Sequence, residues 1–346
     1  MASLREVKDH IASVRSTLKI TSAMKLVASA KLRKAQQAAE GIRPYTEALA
    51  DMLSHVLASQ TASGKGPGRV PQGEPGPGIA TPTDSAHASV LSNALVSGEG
   101  TQRVAIVAVA SNSSLCGAFN INVIHKVQEV VGECRRAGES VEVISVGRKM
   151  AEAMRKWGFA PEDHADLVGR NSFEKSAAFA QSLIDAFNAG LYSRIVFIYN
   201  HFVSAASQKV QVESYLPFIE GGRGSSPFFR PSAGADPSQP GGWAPPVTAT
   251  GGYGSKRDSA PAASDFILEP GREEILATLL PQVMRLRVHT VLLDSIAAEH
   301  AARTLAMQAA SDNAEDLLAE LTLEYNKGRQ QKITSEILDL IGGAQQ

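Results

Sequence analysis

The sequence predicts an α/β fold with long terminal helices, in which the two ends of the chain form a shaft and the middle forms a small open sheet. Three observations predict it. Between Pro281 and Gly342 there is no proline and a single glycine, Gly328, and good helix formers fill the span, including the alanine-rich segment Ala297–Ala310. A helix of roughly sixty residues is about 90 Å long, and one of that length needs a partner to cover its apolar stripe. At the other end Leu4, Val7, Ile11, Val14 and Leu18 recur at alternating spacings of three and four, the seam of a coiled coil. Between the ends, strand-like and helix-like runs alternate, which implies parallel strands joined by right-handed crossovers.

The first helix reads from Leu4 to about Ala58 within a unit spanning 1–58, and Gly41 and Pro44 mark a kink or frayed point in it. Residues 59–100 lose all periodicity and read as a flexible Gly/Pro-rich insertion. The α/β unit occupies 101–220. Arg103–Ala110 is a buried strand, Asn120–Ala137 a helix, Val141–Gly147 a second strand and Arg148–Trp157 a second helix. Phe173–Ala189 is helical, Arg194–Tyr199 is a third strand, and Gln208–Leu216 adds a fourth, antiparallel to its predecessor through a short connection. A second Gly/Pro-rich insertion covers 221–264, and 265–346 forms the C-terminal helical unit. The two insertions hold 12 of the 17 prolines. Surface insertions of this length are tolerated because closure entropy grows slowly with loop length. Phe228, Phe229, Trp243 and Tyr253 in the second insertion read as scattered loop aromatics rather than as a docking motif.

Composition excludes some classes of function. The 43% hydrophobic content suffices for a buried core, and a net charge of −1 argues against a general nucleic-acid binder. Charge is uneven, however. From His10 to Ala39 there is no acidic residue, while Arg15, Lys19, Lys25, Lys31, Arg33 and Lys34 are basic. Such a block suits an acidic surface; equally, it suits a solvated face balanced by the acidic C-terminal helix. Cys116 and Cys134, the only cysteines, form neither a disulfide framework nor a metal motif. No apolar run approaches the roughly twenty residues of a membrane span. The N-terminus lacks a secretory core, and Glu6 and Asp9 sit badly in a mitochondrial transit peptide, so a soluble protein with an intact N-terminus is expected.

The loop Ser111–Asn120 (SNSSLCGAFN) joins the first strand to its helix and could offer backbone N–H groups to an anion. It has neither a GxGxxG fingerprint nor a phosphate-loop lysine. A tight turn, with Gly117 allowing close packing, is the preferred reading. Cys116 has no histidine placed by the sequence to activate it. Glu315, Asp316, Glu320 and Glu324 fall at helical spacings that mark a solvated face. No catalytic residue, metal site or cofactor site is expected.

The two ends carry longer motifs: IASVRSTLKITSAMKLVASAKLRKAQ from Ile11 to Gln36, AAEHAARTLAMQAASDNAEDL from Ala297 to Leu317, and LTLEYNKGRQQKITSEILDLIGGA from Leu321 to Ala344. Together with SLCGAFN they closely resemble the gamma subunit of the F-type ATP synthase, over Met1–Ala58, Arg103–Pro217 and Phe266–Ala344. The resemblance implies an antiparallel coiled coil of the N- and C-terminal helices with a Rossmann-like central domain packed around it. It implies as partners a hexamer of alternating alpha and beta subunits, the epsilon subunit and the membrane c-ring, with catalysis left to the beta subunits. Nucleic acid is not among them. Met24 and Lys25 match the family's beta contact. Arg329, Gln330, Thr334 and Glu336 match a motif that meets the beta subunits and couples rotation. Glu299 and Arg303 match positions implicated in coupling, although an i, i+4 ion pair within the helix is a strong alternative. Ala23, Ala28, Ser29 and Ala30 would keep the shaft slim. The expected location is the cytoplasmic face of a bacterial inner membrane, peripherally held. Chloroplast relatives carry a regulatory dithiol loop, but neither insertion here contains cysteine. The 221–264 insertion falls near the family's foot, where contacts with neighbours that limit reverse rotation are a hypothesis. A Rossmann-like oxidoreductase or transferase, supported only by the loop at Ser111–Asn120, and a basic coiled-coil adaptor or RNA-binding module are the competing readings.

Overall fold

The computed structural model describes residues 4–62, 103–169, 172–217 and 271–343. The greater part of the first insertion and all of the second lie outside the described residues, as does the proposed contact of the second with neighbours.

Two helices, α1 (Leu4–Ala62) and α6 (Arg272–Gly343), run antiparallel as a shaft. Their register is fixed along its length. Gly328 lies against Leu4, the Ser311 hydroxyl donates to Thr21 Oγ1 at 2.9 Å, and Lys25 Nζ donates to Gln308 Oε1. The seam predicted from three-four spacing is the one that packs. Val7 and Val14 are buried with Ala314 and Leu321, flanked by Ile11, Leu18, Leu318 and Tyr325. Each side chain of that size contributes about 1.5–3 kcal/mol when fully buried, so this end of the shaft is held by few contacts. Of the small residues expected to slim the shaft, Ala28 is buried in the seam, while Ala23, Ser29 and Ala30 lie on the outer surface.

Both helices run through a proline. Helix α1 runs through Gly41 and Pro44 to Ala62, four residues past the expected end, and α6 begins at Arg272 and carries Pro281 inside it. Each proline removes one backbone hydrogen bond. Burial of Leu49 and Leu53 beyond Pro44, and of Leu279, Leu280, Val283 and Met284 around Pro281, offsets that loss, because tertiary packing outweighs local propensity.

The α/β unit comprises β1 (Arg103–Val109), α2 (Phe119–Arg136), β2 (Ser140–Val146), α3 (Arg148–Lys156), the short α4 (Asp166–Gly169), α5 (Phe173–Asn188), β3 (Arg194–Phe202) and β4 (Gln208–Leu216). The sheet order is β2-β1-β3-β4. Strand β1 pairs in parallel with β2 (Val104 opposite Val141) and with β3 (Val104 opposite Arg194), and β4 returns antiparallel along β3. Alternation along β1 sorts the core into two layers. Val104, Ile106 and Ala108 face α2 and α3, whereas Ala105, Val107 and Val109 face α5 and α6. Both faces of β1 are therefore covered, which is why its sequence is apolar without a break. The layer on α6 also takes in Leu49 and Leu53 of α1, so shaft and sheet share one core.

Gly147 ends β2 at φ +104°, where an added Cβ would fall 2.2 Å from the Ala110 carbonyl oxygen. That close approach lets Lys149 N donate to Ser111 O at 3.1 Å and ties the start of α3 to the loop after β1.

Candidate functional site

In an open α/β sheet, the place for a ligand is the crevice beyond the carboxyl ends of the strands, where the strand order reverses. Here that point lies between β1 and β3, and α6 fills it. Cys116 and Phe119, from the loop after β1, pack on Ala298 and Ala302 of α6, with Phe202 of β3 alongside. Arg303 Nη2 donates to the Ser113 hydroxyl at 2.9 Å. The loop is pinned internally by Asn120, whose Oδ1 accepts from the Ser111 amide at 3.0 Å and whose Nδ2 donates to Cys116 Sγ at 3.2 Å. Cys116 is buried among Asn120, Ser111 and Ser113, none of which is a base. The tight-turn reading of this loop fits, with one change of reason. Gly117 has φ +59°, but a Cβ there would meet only Ala306 Cβ at an ordinary 3.8 Å. Backbone conformation, not the close contact, favours glycine.

Glu299 and Arg303 form the intrahelical pair, Oε1 to Nη1 at 2.7 Å, nearly buried on both sides. Burial raises the Glu299 pKa, against the lowering effect of Arg303 and of Lys31 on α1. His300 lies beside them, its Nδ1 3.4 Å from Arg303 Nη1. Burial, and then the Arg303 and Lys31 charges, push its pKa from 6.5 down to about 4. Burial lowers His289 as well, and raises Asp294. For His300 the unfolded chain takes up its proton near pH 6.5 and the folded chain near pH 4, so the unfolded state binds more protons in between. Its contribution is complete above pH 6.5 and is lost as pH falls through that window. Buried carboxyls with raised values act in the opposite sense, losing their contribution as pH rises. A His300→Gln variant should therefore lose less stability between pH 6.5 and 4 than the parent, read as the shift of the urea midpoint. Equal shifts in both proteins would remove His300 as the cause.

The remaining sequence-predicted residues lie on the shaft, away from the α/β unit. Met24 is 40% exposed, and Lys25 is half-buried by its bond to Gln308. Among the described residues, no ion pair ties Arg15, Lys19, Arg33 or Lys34 to α6, so the basic face of α1 is not consumed by the neighbouring helix. Past Gly328, α6 continues without a partner helix among the described residues. The stretch from Arg329 to Gly343 extends about 22 Å beyond Leu4 at 1.5 Å per residue. Arg329, Gln330, Thr334 and Glu336 all stand exposed on this overhang, and Thr334 Oγ1 donates to the Gln330 carbonyl at 2.9 Å. Exposed with them are Ile333, Ile337 (51%) and Leu338 (63%). Glu315, Asp316, Glu320 and Glu324 form the solvated face expected of them. Among the described residues no group of three or more His, Cys, Asp or Glu could hold a metal ion, and no helix is long and apolar enough to cross a membrane.

A long two-helix rod with a small α/β unit fixed to its flank, its sheet crevice filled by the rod itself, defines a stalk protein. A family model described as ATP synthase matches residues 3–346. The ATP synthase gamma chain of Phocaeicola vulgatus is 40% identical over 346 residues, covering 99% of each chain, and that of Rhodospirillum rubrum is 33% identical over 350 residues, covering 100% of this chain and 99% of the relative. The chain belongs to the ATP synthase gamma chain family and is a central-stalk subunit of that enzyme. Its fold is that of a chain in the Euglena gracilis mitochondrial ATP synthase, solved in an OSCP/F1/c-ring assembly, with TM-score 0.57 and 20% identity over 98% of this chain and 92% of that one. A rotor structure of the same enzyme gives TM-score 0.54 at 18% identity, covering 95% and 98%.

Proposed function

We propose that this chain is the rotor through which ion-driven turning of a c-ring reaches the nucleotide sites of beta subunits, and through which ATP hydrolysis drives the reverse. The shaft stands with its tip inside a hexamer of alternating alpha and beta subunits. The α/β unit is the foot, seated on the epsilon subunit and the ring. Catalysis belongs to the beta subunits, and this chain needs no cofactor or metal of its own.

The overhang carries the reading. Ile333, Ile337 and Leu338 are covered by no other described residue, and exposed apolar groups of that kind mark a contact surface. A surrounding sleeve would cover them. Arg329, Gln330, Thr334 and Glu336 are the polar contacts of that tip with the beta subunits. Lower on the shaft, Met24 and Lys25 are a second contact, within the basic face of α1 that suits acidic lever segments sliding past it. Glu299 and Arg303 act in coupling through the Ser113 contact, by holding the foot to the shaft. The protein is held at the cytoplasmic face of a bacterial inner membrane through the ring.

Co-purification tests the assembly. A tagged chain expressed in its host should bring down alpha and beta subunits together. Salt-dependent capture of RNA in their place would overturn the rotor reading in favour of the basic-helix alternative.

A further inference from the structure

Apolar packing between sheet and shaft is non-directional, so by itself it sets no angle between them. Polar contacts do, and beside those of Arg285 with Gln181, His289 with Ser176, Tyr215 with the Met284 carbonyl and Arg303 with Ser113, two of them engage both oxygens of a carboxylate. Arg287 of α6 donates from Nε to Glu213 Oε1 of β4 at 2.6 Å and from Nη2 to the Ser214 carbonyl at 3.0 Å, while Glu213 Oε2 accepts from the Tyr199 hydroxyl at 2.9 Å. Asp294 of α6 meets His201 Nδ1 through Oδ2 at 2.6 Å and accepts the Phe202 amide through Oδ1 at 3.1 Å. Both carboxylates thus have both oxygens engaged, and the Glu213 side chain is only 4% exposed. Charge-assisted hydrogen bonds with this geometry are strong and orientation-dependent.

The spacing of the two contacts matters. Arg287 and Asp294 are two helical turns apart, so they lie on one face of α6, separated by about 10 Å. Glu213 pairs with Phe197 of β3, and His201 lies four residues further along the same strand, about 13 Å. Helix and strand therefore run side by side in the same direction, joined at two matched stations.

We propose that these two clamps, Arg287 on Glu213 and Asp294 on His201 and the Phe202 amide, fix the angular setting of the α/β unit on the shaft, so that turning force passes between foot and rod without slip. The proposal rests on the rotor reading above. Its residues are positioning residues, remote from the tip that meets the hexamer.

The test is Arg287→Met with Glu213→Leu, which leaves no unpaired buried charge and keeps the junction packed. In the assembled enzyme in inverted vesicles, ions pumped per ATP hydrolysed should fall severalfold. The swapped pair Arg287→Glu with Glu213→Arg should recover part of that loss, which a purely structural role would not require. If the apolar pair does not assemble, His201→Leu replaces it, since Asp294 keeps its bond from the Phe202 amide; a lowered ratio supports the clamp. An unchanged ratio in whichever variant assembles overturns it. Failure of the rotor reading is distinct, because then vesicles with the parent chain would show no pumping that depends on the tip.

Discussion

Replacing Arg329 and Gln330 together with alanine should uncouple ATP turnover from ion pumping while leaving nucleotide binding and folding largely intact. Both side chains are exposed on the overhang, and neither makes a hydrogen bond or ion pair among the described residues. Exposed substitutions of this kind shift stability by no more than about 0.5 kcal/mol, and alanine is at least as good a helix former as either residue. Any large effect must then come from what surrounds the tip. Truncating two side chains at a contact that matters costs on the order of 1–3 kcal/mol, and about 1.4 kcal/mol corresponds to tenfold. Pumping per ATP in inverted vesicles should accordingly drop by about tenfold, with unchanged nucleotide affinity at the beta subunits. Normal pumping per ATP would mean that these two side chains are not the coupling contact.

The second large effect concerns folding. Gly147→Ala puts a Cβ 2.2 Å from the Ala110 carbonyl oxygen and 2.9 Å from its carbon, both backbone atoms of the central strand's end. No rotamer change relieves a clash between backbone and Cβ, and φ +104° is itself strained for alanine. Relief requires moving β1 away from β2, which breaks the Ala110 N to Val146 O bond at 2.8 Å. A loss of about 4 kcal/mol or more is expected, a large share of the stability of an ordinary domain. Gly190→Ala is the control. Its φ of +72° is also left-handed, but nothing lies within 4 Å of an added Cβ, so the cost is about 1 kcal/mol. Urea unfolding of the two variants separates them. Equal losses would mean that conformation alone, and not the approach to Ala110, makes position 147 a glycine.

Periodic features were legible in the sequence because they are local. The three-four spacing of Leu4, Val7, Ile11, Val14 and Leu18 named the face that packs on α6, and the unbroken apolar run of β1 identified a strand covered on both sides. Features that depend on remote partners were not. That the helix runs unbroken through Pro281 depends on the core around Leu279 and Met284, whose partners lie on other elements. Arg287 and Glu213 are 74 residues apart and His201 and Asp294 93 apart, so nothing in their neighbourhoods marks them as pairs. Glu299 and Arg303 were visible as an i, i+4 pair, but not the reach of Arg303 to Ser113 on another element. For the tip residues, the motif was available through family resemblance alone. Their isolation on an overhang follows from where Leu4 meets Gly328, a matter of register between the two ends of the chain.

That register has a consequence for synthesis. The bond between Thr21 and Ser311 closes across 290 residues, and the apolar seam of α1 finds its partner only at Ala314 and Leu321. At roughly 5–20 residues per second, a ribosome needs about 15–60 s to supply that stretch. For that interval Val7, Ile11 and Val14 lack the residues that cover them in the folded rod. The rod can therefore close only once the residues around Ser311 are present, long after those around Thr21.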